Sequence, residues 1–305
     1  MAQKTLIVII GPTAIGKTDL CIDLAESFNT EIISADSRQI YKELNIGTAK
    51  PGEDELNRVK HHFIGTKSIF DYYTAGMFEL DVLKLLEDLF KKHEQVIMTG
   101  GSGLYINAVC EGIDALPKVD PEIRNKLIKQ YEQEGIQSLR QDLKRLDPDY
   151  YEMTDLKNPK RLLKALEITV MTGKPYSSFL TNPNKKRPFN ILKIGLNRDR
   201  QELYDIINKR VDQMVNKGLL DEAKALYKHR KLNAMNTVGY KELFDYFDGN
   251  INYERAIELI KRNTRRYAKR QITWFSRDKE IKWFHPNDQE KIKQYINQQI
   301  QSAEE

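Results

Sequence analysis

A chain of 305 residues, 40% of them apolar, is long enough for one large or two modest domains with a real core, which excludes disorder over most of its length. Lysine and arginine number 49 against 44 acids, a formal charge of +5, but residues 1–100 carry 11 basic and 15 acidic side chains, leaving 38 and 29 for the rest. An acidic front and a basic back direct any polyanion to the later part of the chain. Cys21 and Cys110, with no Cys-x-x-Cys and no histidine cluster beside them, supply neither a disulfide framework nor a zinc site and fit a reducing compartment. The apolar run Leu6–Ile10 is too short for a secretory segment or a membrane span, so a soluble, cytoplasmic protein without a membrane partner is expected.

In chain order, Thr5–Ile10 is a continuous β-branched run, the pattern of a parallel strand buried on both faces. A glycine-rich turn follows, and Thr18–Phe28 then spaces Leu20, Ile22, Leu24, Ala25 and Phe28 as a helix. Further strands are predicted at Glu31–Ser34, Gln95–Thr99, Ile191–Gly195 and Ile281–Phe284, separated by amphipathic stretches such as Met77–Lys92. This alternation predicts an α/β fold with a three-layer parallel sheet over residues 1–117 and 190–287. Residues 118–189 change to charged helical patterns (Pro121–Glu134, Ile136–Leu146, Asn158–Thr172) and read as a helical insertion. It closes on the hinge-like, basic loop Thr181–Pro188. Further helices are expected over 199–246 and 253–275, and residues 288–305 read as a last, frayed helix or tail.

Gly11, Pro12, Thr13, Ala14, Ile15, Gly16, Lys17 and Thr18 fit G-x4-G-K-T, between a buried strand and a helix. Such a loop curls backbone N–H groups around a phosphate at the positive end of a helix, with Lys17 as a mobile cation and the Thr18 hydroxyl placed for Mg²⁺. The motif leaves open which phosphate ester is held. The strand Gln95–Thr99 ends in Gly100-Gly-Ser-Gly103 rather than in a Mg²⁺-binding carboxylate, a role open instead to Asp36. No Asn/Thr-Lys-x-Asp element is present to read guanine, which disfavours a GTPase and leaves an ATP-using small-molecule kinase as an alternative.

Lys261–Arg270 holds six basic residues in ten and no acid. Helical geometry aligns Ile260, Thr264, Tyr267, Gln271 and Trp274 in one stripe and sets Arg262, Arg266, Lys269 and Arg270 on another flank. The two aromatics read as core in preference to base-stacking platforms, and the basic flank reads as a phosphate-tracking surface. Lys160–Lys164 and Lys185–Arg187 add further positive charge.

Ser34-Ala-Asp-Ser-Arg-Gln-Ile-Tyr41, Asn45-Ile-Gly-Thr-Ala-Lys-Pro51, His61-His62 and Gly100-Gly-Ser-Gly-Leu-Tyr105 together resemble the tRNA dimethylallyltransferase family, also called tRNA isopentenyltransferase or IPP transferase. Asn158–Glu167, Val238–Glu242 and Thr264–Trp274 look like the family's helical signatures. The resemblance implies transfer of a dimethylallyl group from dimethylallyl diphosphate to the N6 amine of the adenosine just 3′ of a tRNA anticodon, with Mg²⁺ at Thr18. Lys17 and Arg210 would grip the diphosphate, and Asp36 would be the general base. Ser102 stands where most of the family has threonine and keeps a hydroxyl at the reacting centre. The target base must leave its stack, and Ser34–Gln39, including Ser37, Arg38 and Gln39, would receive it. By the same resemblance Arg124, Lys160, Arg161, Leu162, Leu163, Lys164, Gly239, Tyr240, Lys241, Arg266, Lys269 and Arg270 are assigned to the tRNA. Lys160 and Lys164 replace the family's usual glutamine and arginine, and lysine does not reproduce arginine's bidentate fork. Competing readings are the kinase, with Arg124 or Arg161 as a lid arginine, a prenyltransferase acting on free adenine nucleotides, and a non-enzymatic RNA-binding switch. A monomer with no obligate protein partner is expected.

Overall fold

The unbroken apolar run becomes β1 (Thr5–Ile10), buried at every residue because both faces of a parallel sheet are covered. In the computed structural model, which describes residues 4–117, 120–181 and 185–302, the chain divides into two compact units: Met1–Cys110 with Lys186–Glu305, and Glu111–Lys185. In the first unit β2 (Ile32–Ser34), β3 (His61–His62), β4 (Gln95–Gly100), β5 (Asn190–Leu196) and β6 (Lys282–Phe284) join β1 in an all-parallel sheet ordered β3-β2-β4-β1-β5-β6. Ile10 pairs in register with Gly100 and Gly195, so the loops leaving β1 and β4 open at the same sheet edge. That carboxyl edge is where α/β folds place ligands. The predicted strands appear with no end moved by more than one residue. β3 is an addition: two half-buried histidines carry no apolar pattern to announce a strand.

The helices α1 (Lys17–Ser27), α2 (Glu53–Arg58), α3 (Ala75–Leu89) and α4 (Gly103–Cys110) precede the second unit. That unit contains α5 (Pro121–Glu134), α6 (Ile136–Leu146), α7 (Pro148–Met153) and α8 (Pro159–Thr172) around Leu127, Leu139, Leu143, Leu162, Ala165 and Leu166. Asp120, Asp147 and Asn158 each cap a helix that starts with proline, whose missing N–H costs nothing in a first turn. The same start signal at Asp147-Pro148 marks α7, which the apolar spacing alone does not reveal. The predicted boundary at 118 and the loop residues 182–184 lie outside the described residues. The first unit resumes at Lys186 rather than 190, since Arg187 is built into it by three hydrogen bonds.

The chain continues with α9 (Arg200–Asn216), α10 (Leu219–Leu226), α11 (Tyr240–Phe247), α12 (Tyr253–Phe275) and α13 (Gln289–Ser302). Far from being a tail, α13 buries Ile292 and Ile296 in the main core beside Ile7 and Leu196. A second core gathers Tyr41 and Leu44 with Val211, Leu219, Tyr240 and Leu243, so α9 to α11 pack on the loop that follows β2. Glu222 of α10 fixes that loop: its carboxylate accepts from the backbone N–H of Asn45, Ile46 and Gly47 at 2.9–3.1 Å and from the Tyr240 hydroxyl at 2.7 Å. No helix among the described residues is long and apolar enough to cross a membrane.

Candidate active site

The phosphate loop occupies the turn from β1 into α1. Ala14 and Gly16 both take positive φ (65° and 95°), which turns consecutive N–H groups toward one centre, while Ile15 is fully buried and anchors the loop in the core. Lys17 Nζ donates to the carbonyls of Gly11 (3.0 Å) and Pro12 (2.8 Å). Gln271, buried on α12, accepts from Thr13 N (2.9 Å) and donates to Gly101 O (2.9 Å), tying the phosphate loop to the turn after β4. Gly100 is required there, since a Cβ would stand 2.4 Å from Ala35 O.

Asp36 follows β2 at the same edge. Its Oδ1 accepts from the backbone N–H of Arg38 (2.8 Å) and Gln39 (3.2 Å), which fixes the carboxylate at the head of a turn. Gln39 Nε2 in turn donates to Thr48 O (3.2 Å) and Ala49 O (3.0 Å). Ser102 Oγ accepts from Ser37 N at 2.9 Å and donates to Ser37 Oγ at 3.1 Å. Tyr267 shares a hydrogen bond with Ser102, and burial, with the Asp36 charge adding to it, pushes its phenol up to about 12.

These groups meet around a cavity of about 620 Å³ whose lining includes Lys17, Thr18, Asp36, Thr99, Arg210 and Tyr267. A neighbouring cavity of about 300 Å³ shares Thr13, Asp36, Arg210 and Tyr267 and adds the apolar Ile207, Val211, Met214, Val238 and Ile260. Burial holds the Arg210 guanidinium below its ordinary range, and the Asp36 and Glu55 carboxylates oppose this. Burial pushes the Cys21 thiol up to about 12, which leaves it protonated and unreactive at neutral pH. Burial, reinforced by Arg210, lowers the Lys17 ammonium from 10.5 to about 8, with Asp36 opposing.

A folded-state pKa below the unfolded one means that the unfolded chain holds the proton longer. The penalty for burying charged Lys17 is therefore complete below pH about 8 and is relieved as pH rises from about 8 to 10.5. Inorganic diphosphate held by the loop through this ammonium would follow the opposite course. Titration calorimetry is expected to show affinity falling above pH about 8, and a Lys17→Met variant should lose that pH dependence.

Other assignments are redistributed. Arg124 and Lys160–Lys164 lie in the second unit, where the Leu162 side chain is fully buried and so withdrawn from any RNA contact, and Leu163, partly buried, packs against the same core. Arg124 stands 2.9 Å from the fully buried Glu167, and part of its donor fork is committed to that carboxylate. Burial raises the Glu167 carboxyl despite this pairing, and burial lowers Lys164. Lys160 and Arg161 are exposed. Tyr240 is fully buried and bonded to Glu222, and Gly239 is buried, leaving Lys241 as the exposed member of that trio. Arg187 is likewise withdrawn from the basic loop, its side chain buried against Glu79 at 2.8 Å.

On α12 the basic run does not act as one surface. Lys261 pairs with Asp212 (2.6 Å) and Arg265 donates to Asn208 (2.6 Å), whereas Arg266, Lys269 and Arg270 are exposed. Lys269 lines a groove with Arg200 and Tyr204, and Arg270 lines the Asp36 cavity, so the supposed single flank splits in two. Trp274 is not core but 39% exposed, and Tyr267 faces the cavity. Gln271 escaped notice as a site residue; its one signal is a polar side chain among apolar ones on a helix stripe.

A family model described as IPP transferase matches residues 39–278. The tRNA dimethylallyltransferase 1 of Bacteroides fragilis is 56% identical over 300 residues, covering 98% of this chain and 100% of the relative. The tRNA dimethylallyltransferase of Christiangramia forsetii is 56% identical over 296 residues, covering 97% and 98%. Among solved structures, the tRNA isopentenylpyrophosphate transferase of Bacillus halodurans superposes with a TM-score of 0.73 at 36% identity over 98% of both chains. A eukaryotic dimethylallyltransferase acting on tRNA superposes with a TM-score of 0.75 at 27% identity, over 93% of this chain and 74% of its own. With a family model spanning most of its length and relatives above half identity end to end, this chain belongs to the tRNA dimethylallyltransferase (IPP transferase) family.

Proposed function

We propose that the protein transfers a dimethylallyl group from dimethylallyl diphosphate to N6 of the adenosine on the 3′ side of a tRNA anticodon, releasing diphosphate, in the cytoplasm. The observation that carries this is one cavity whose lining brings Lys17 and Arg210 together with the Asp36 carboxylate, and which shares part of its wall with an apolar cavity suited to a five-carbon tail. Adenine N6 is a weak nucleophile because its lone pair is delocalised into the ring, so the rate depends on activating the leaving group. As N6 bonds to C1 of the allyl group, the C1–O bond to diphosphate breaks and charge accumulates on the departing oxygens. Lys17 and Arg210 are aimed at that charge, and the N6 proton passes to Asp36. Ser102 and Ser37, bonded to each other, hold the turn that receives the base. Tyr267 closes it from α12.

The cavity is compatible with Mg²⁺. Thr18 and Asp36 offer hard oxygen donors on its wall, and among the described residues no group of three His, Cys, Asp or Glu builds a dedicated cage. One or two protein oxygens completed by substrate phosphate and water is the habit of this ion. When bound, Mg²⁺ supplies neutralisation of the leaving diphosphate.

The test is mass spectrometry of unmodified tRNA incubated with protein, Mg²⁺ and dimethylallyl diphosphate, beside a reaction given ATP instead. One five-carbon unit gained on the adenosine beside the anticodon, with ATP untouched, is the expected result. Phosphate transfer from ATP without prenylation would favour the kinase. Because phosphate contacts release counterions, tRNA affinity should fall steeply between 50 and 200 mM salt, by about tenfold or more if several phosphates are neutralised. Donor affinity should change much less, and a flat salt response of tRNA binding would remove the basic surface from the account.

A further inference from the structure

We propose that Arg198 is a positioning residue of the phosphate loop: from outside the cavity it holds the Ile15 carbonyl and so aims the Gly16 N–H at the diphosphate. The inference rests on the diphosphate reading above and adds to it a residue that touches no substrate.

Arg198 stands between β5 and α9, two residues beyond the strand that pairs with β1. Its side chain is 11% exposed and lies along a groove with Asn197, Leu203 and Tyr204, not on the cavity lined by Lys17, Asp36 and Arg210. One end of the guanidinium, Nη1, donates to Glu202 Oε1 at 2.5 Å, and the other, Nη2, donates to Ile15 O at 3.3 Å. Nε is buried and meets no acceptor among the described residues. A buried guanidinium with an unmet N–H costs stability, and such local misfits are expected where function fixes a side chain. Glu202 is itself flanked: His285 Nδ1 accepts from Asn287 N at 3.2 Å, and Nε2 of the same ring stands 3.8 Å from Glu202 Oε2.

The consequence for the loop follows from the peptide bond. The Ile15–Gly16 link is trans, so its carbonyl and its N–H point in opposite directions. Drawing Ile15 O out to Arg198 therefore turns the Gly16 N–H toward the cavity that Gly16 lines. The other tethers of the loop act elsewhere. Lys17 holds Gly11 O and Pro12 O, and Gln271 takes up the Thr13 N–H. Gly16, at φ 95°, has no side chain to restrain it, and a Cβ there would find only Pro286, at 3.9 Å. A donor fixed in advance where charge accumulates stabilises that charge without reorganising during the reaction.

The experiment uses the full chain with Mg²⁺ and inorganic diphosphate, followed by titration calorimetry and by the Gly16 amide resonance in isotope-labelled protein. Arg198→Met keeps the stem and loses the fork. It is expected to weaken diphosphate binding about 10- to 100-fold, the range for groups that orient a ligand from behind, and to lower kcat/KM for the donor by at least as much. Anticodon stem-loop affinity should stay at the wild-type level. Diphosphate should shift the Gly16 resonance in the wild type and leave it near its free position in Arg198→Met. Arg198→Lys keeps the charge without the two-ended grip and should fall between the two. Glu202→Gln makes the neighbourhood more positive, which by charge alone would tighten diphosphate binding, but it loosens the guanidinium, so weaker binding is expected. Wild-type diphosphate affinity in Arg198→Met would overturn the proposal. So would tighter binding by Glu202→Gln with wild-type binding by Arg198→Lys, since Arg198 would then act through its charge alone. Denaturant midpoints show which variants are folded, and if Arg198→Met is not, the other two decide. A wild-type chain that binds no diphosphate would sink the phosphate-site reading, and the positioning role with it.

Discussion

Asp36→Asn should lower kcat for tRNA prenylation by about 10²- to 10⁴-fold, the usual contribution of a general base, while anticodon stem-loop affinity stays near wild type. Asparagine is the informative replacement because its Oδ1 still accepts from Arg38 N and Gln39 N, now 2.8 and 3.2 Å from the carboxylate, so the turn keeps its shape while charge and basicity are lost. Asp36→Ala removes the acceptor as well and should cost at least as much. The Asp36 charge also raises the pKa of Lys17, so the comparison belongs at pH 7 or below, where the ammonium survives the substitution. Near wild-type turnover of Asp36→Asn would remove the base from the mechanism. Recovery of turnover at high Mg²⁺ would instead reassign Asp36 to the metal.

Much of this site is legible in the sequence because its chemistry is local. A phosphate loop is a strand, a run of special backbone angles and a helix in direct succession, and all three are written into residues 5–27. Asp36 is equally readable, as its turn is built from the next three residues. What stayed hidden depends on partners far along the chain. Gln271 gains its role only where α12 crosses the phosphate loop, more than 250 positions away, and Glu222 only where α10 meets the loop at Asn45–Gly47. The basic run on α12 looked uniform because sequence gives helical angle but not the neighbour on each side. Asp212 and Asn208 consume two of its cations, and Trp274, seated against Gly103 of α4, stays 39% exposed. Tyr240 and Leu162 mislead for a related reason: a motif segment contains the residues that hold a site as well as those that touch it, and burial separates the two.

The largest stability effect is expected at the ion pair of Glu79 and Arg187. Both side chains are almost fully buried, 5% and 7% exposed, and the guanidinium also donates at 2.8 Å to the carbonyls of Val109 and Ala108, the last turn of α4. Glu79→Leu would leave the Arg187 cation buried without its carboxylate, and Arg187→Met would take the guanidinium from buried Glu79 and orphan the two α4 carbonyls besides. Removing one partner of such a pair costs about 3–5 kcal/mol, whereas exchanging both for apolar residues is often near neutral. The double variant should therefore be more stable than either single one, although the unmet carbonyls keep it below wild type by about 1–3 kcal/mol. Denaturant midpoints of the four proteins check this, and strictly additive losses would mean the charges are not coupled. Because α4 begins one residue after Ser102 and ends on Arg187, the single variants should also lower kcat at temperatures where they remain folded. The double variant should recover part of that loss, since the same helix that is held at its C-terminus by a buried cation starts next to Ser102, which is proposed to hold the turn that receives the base.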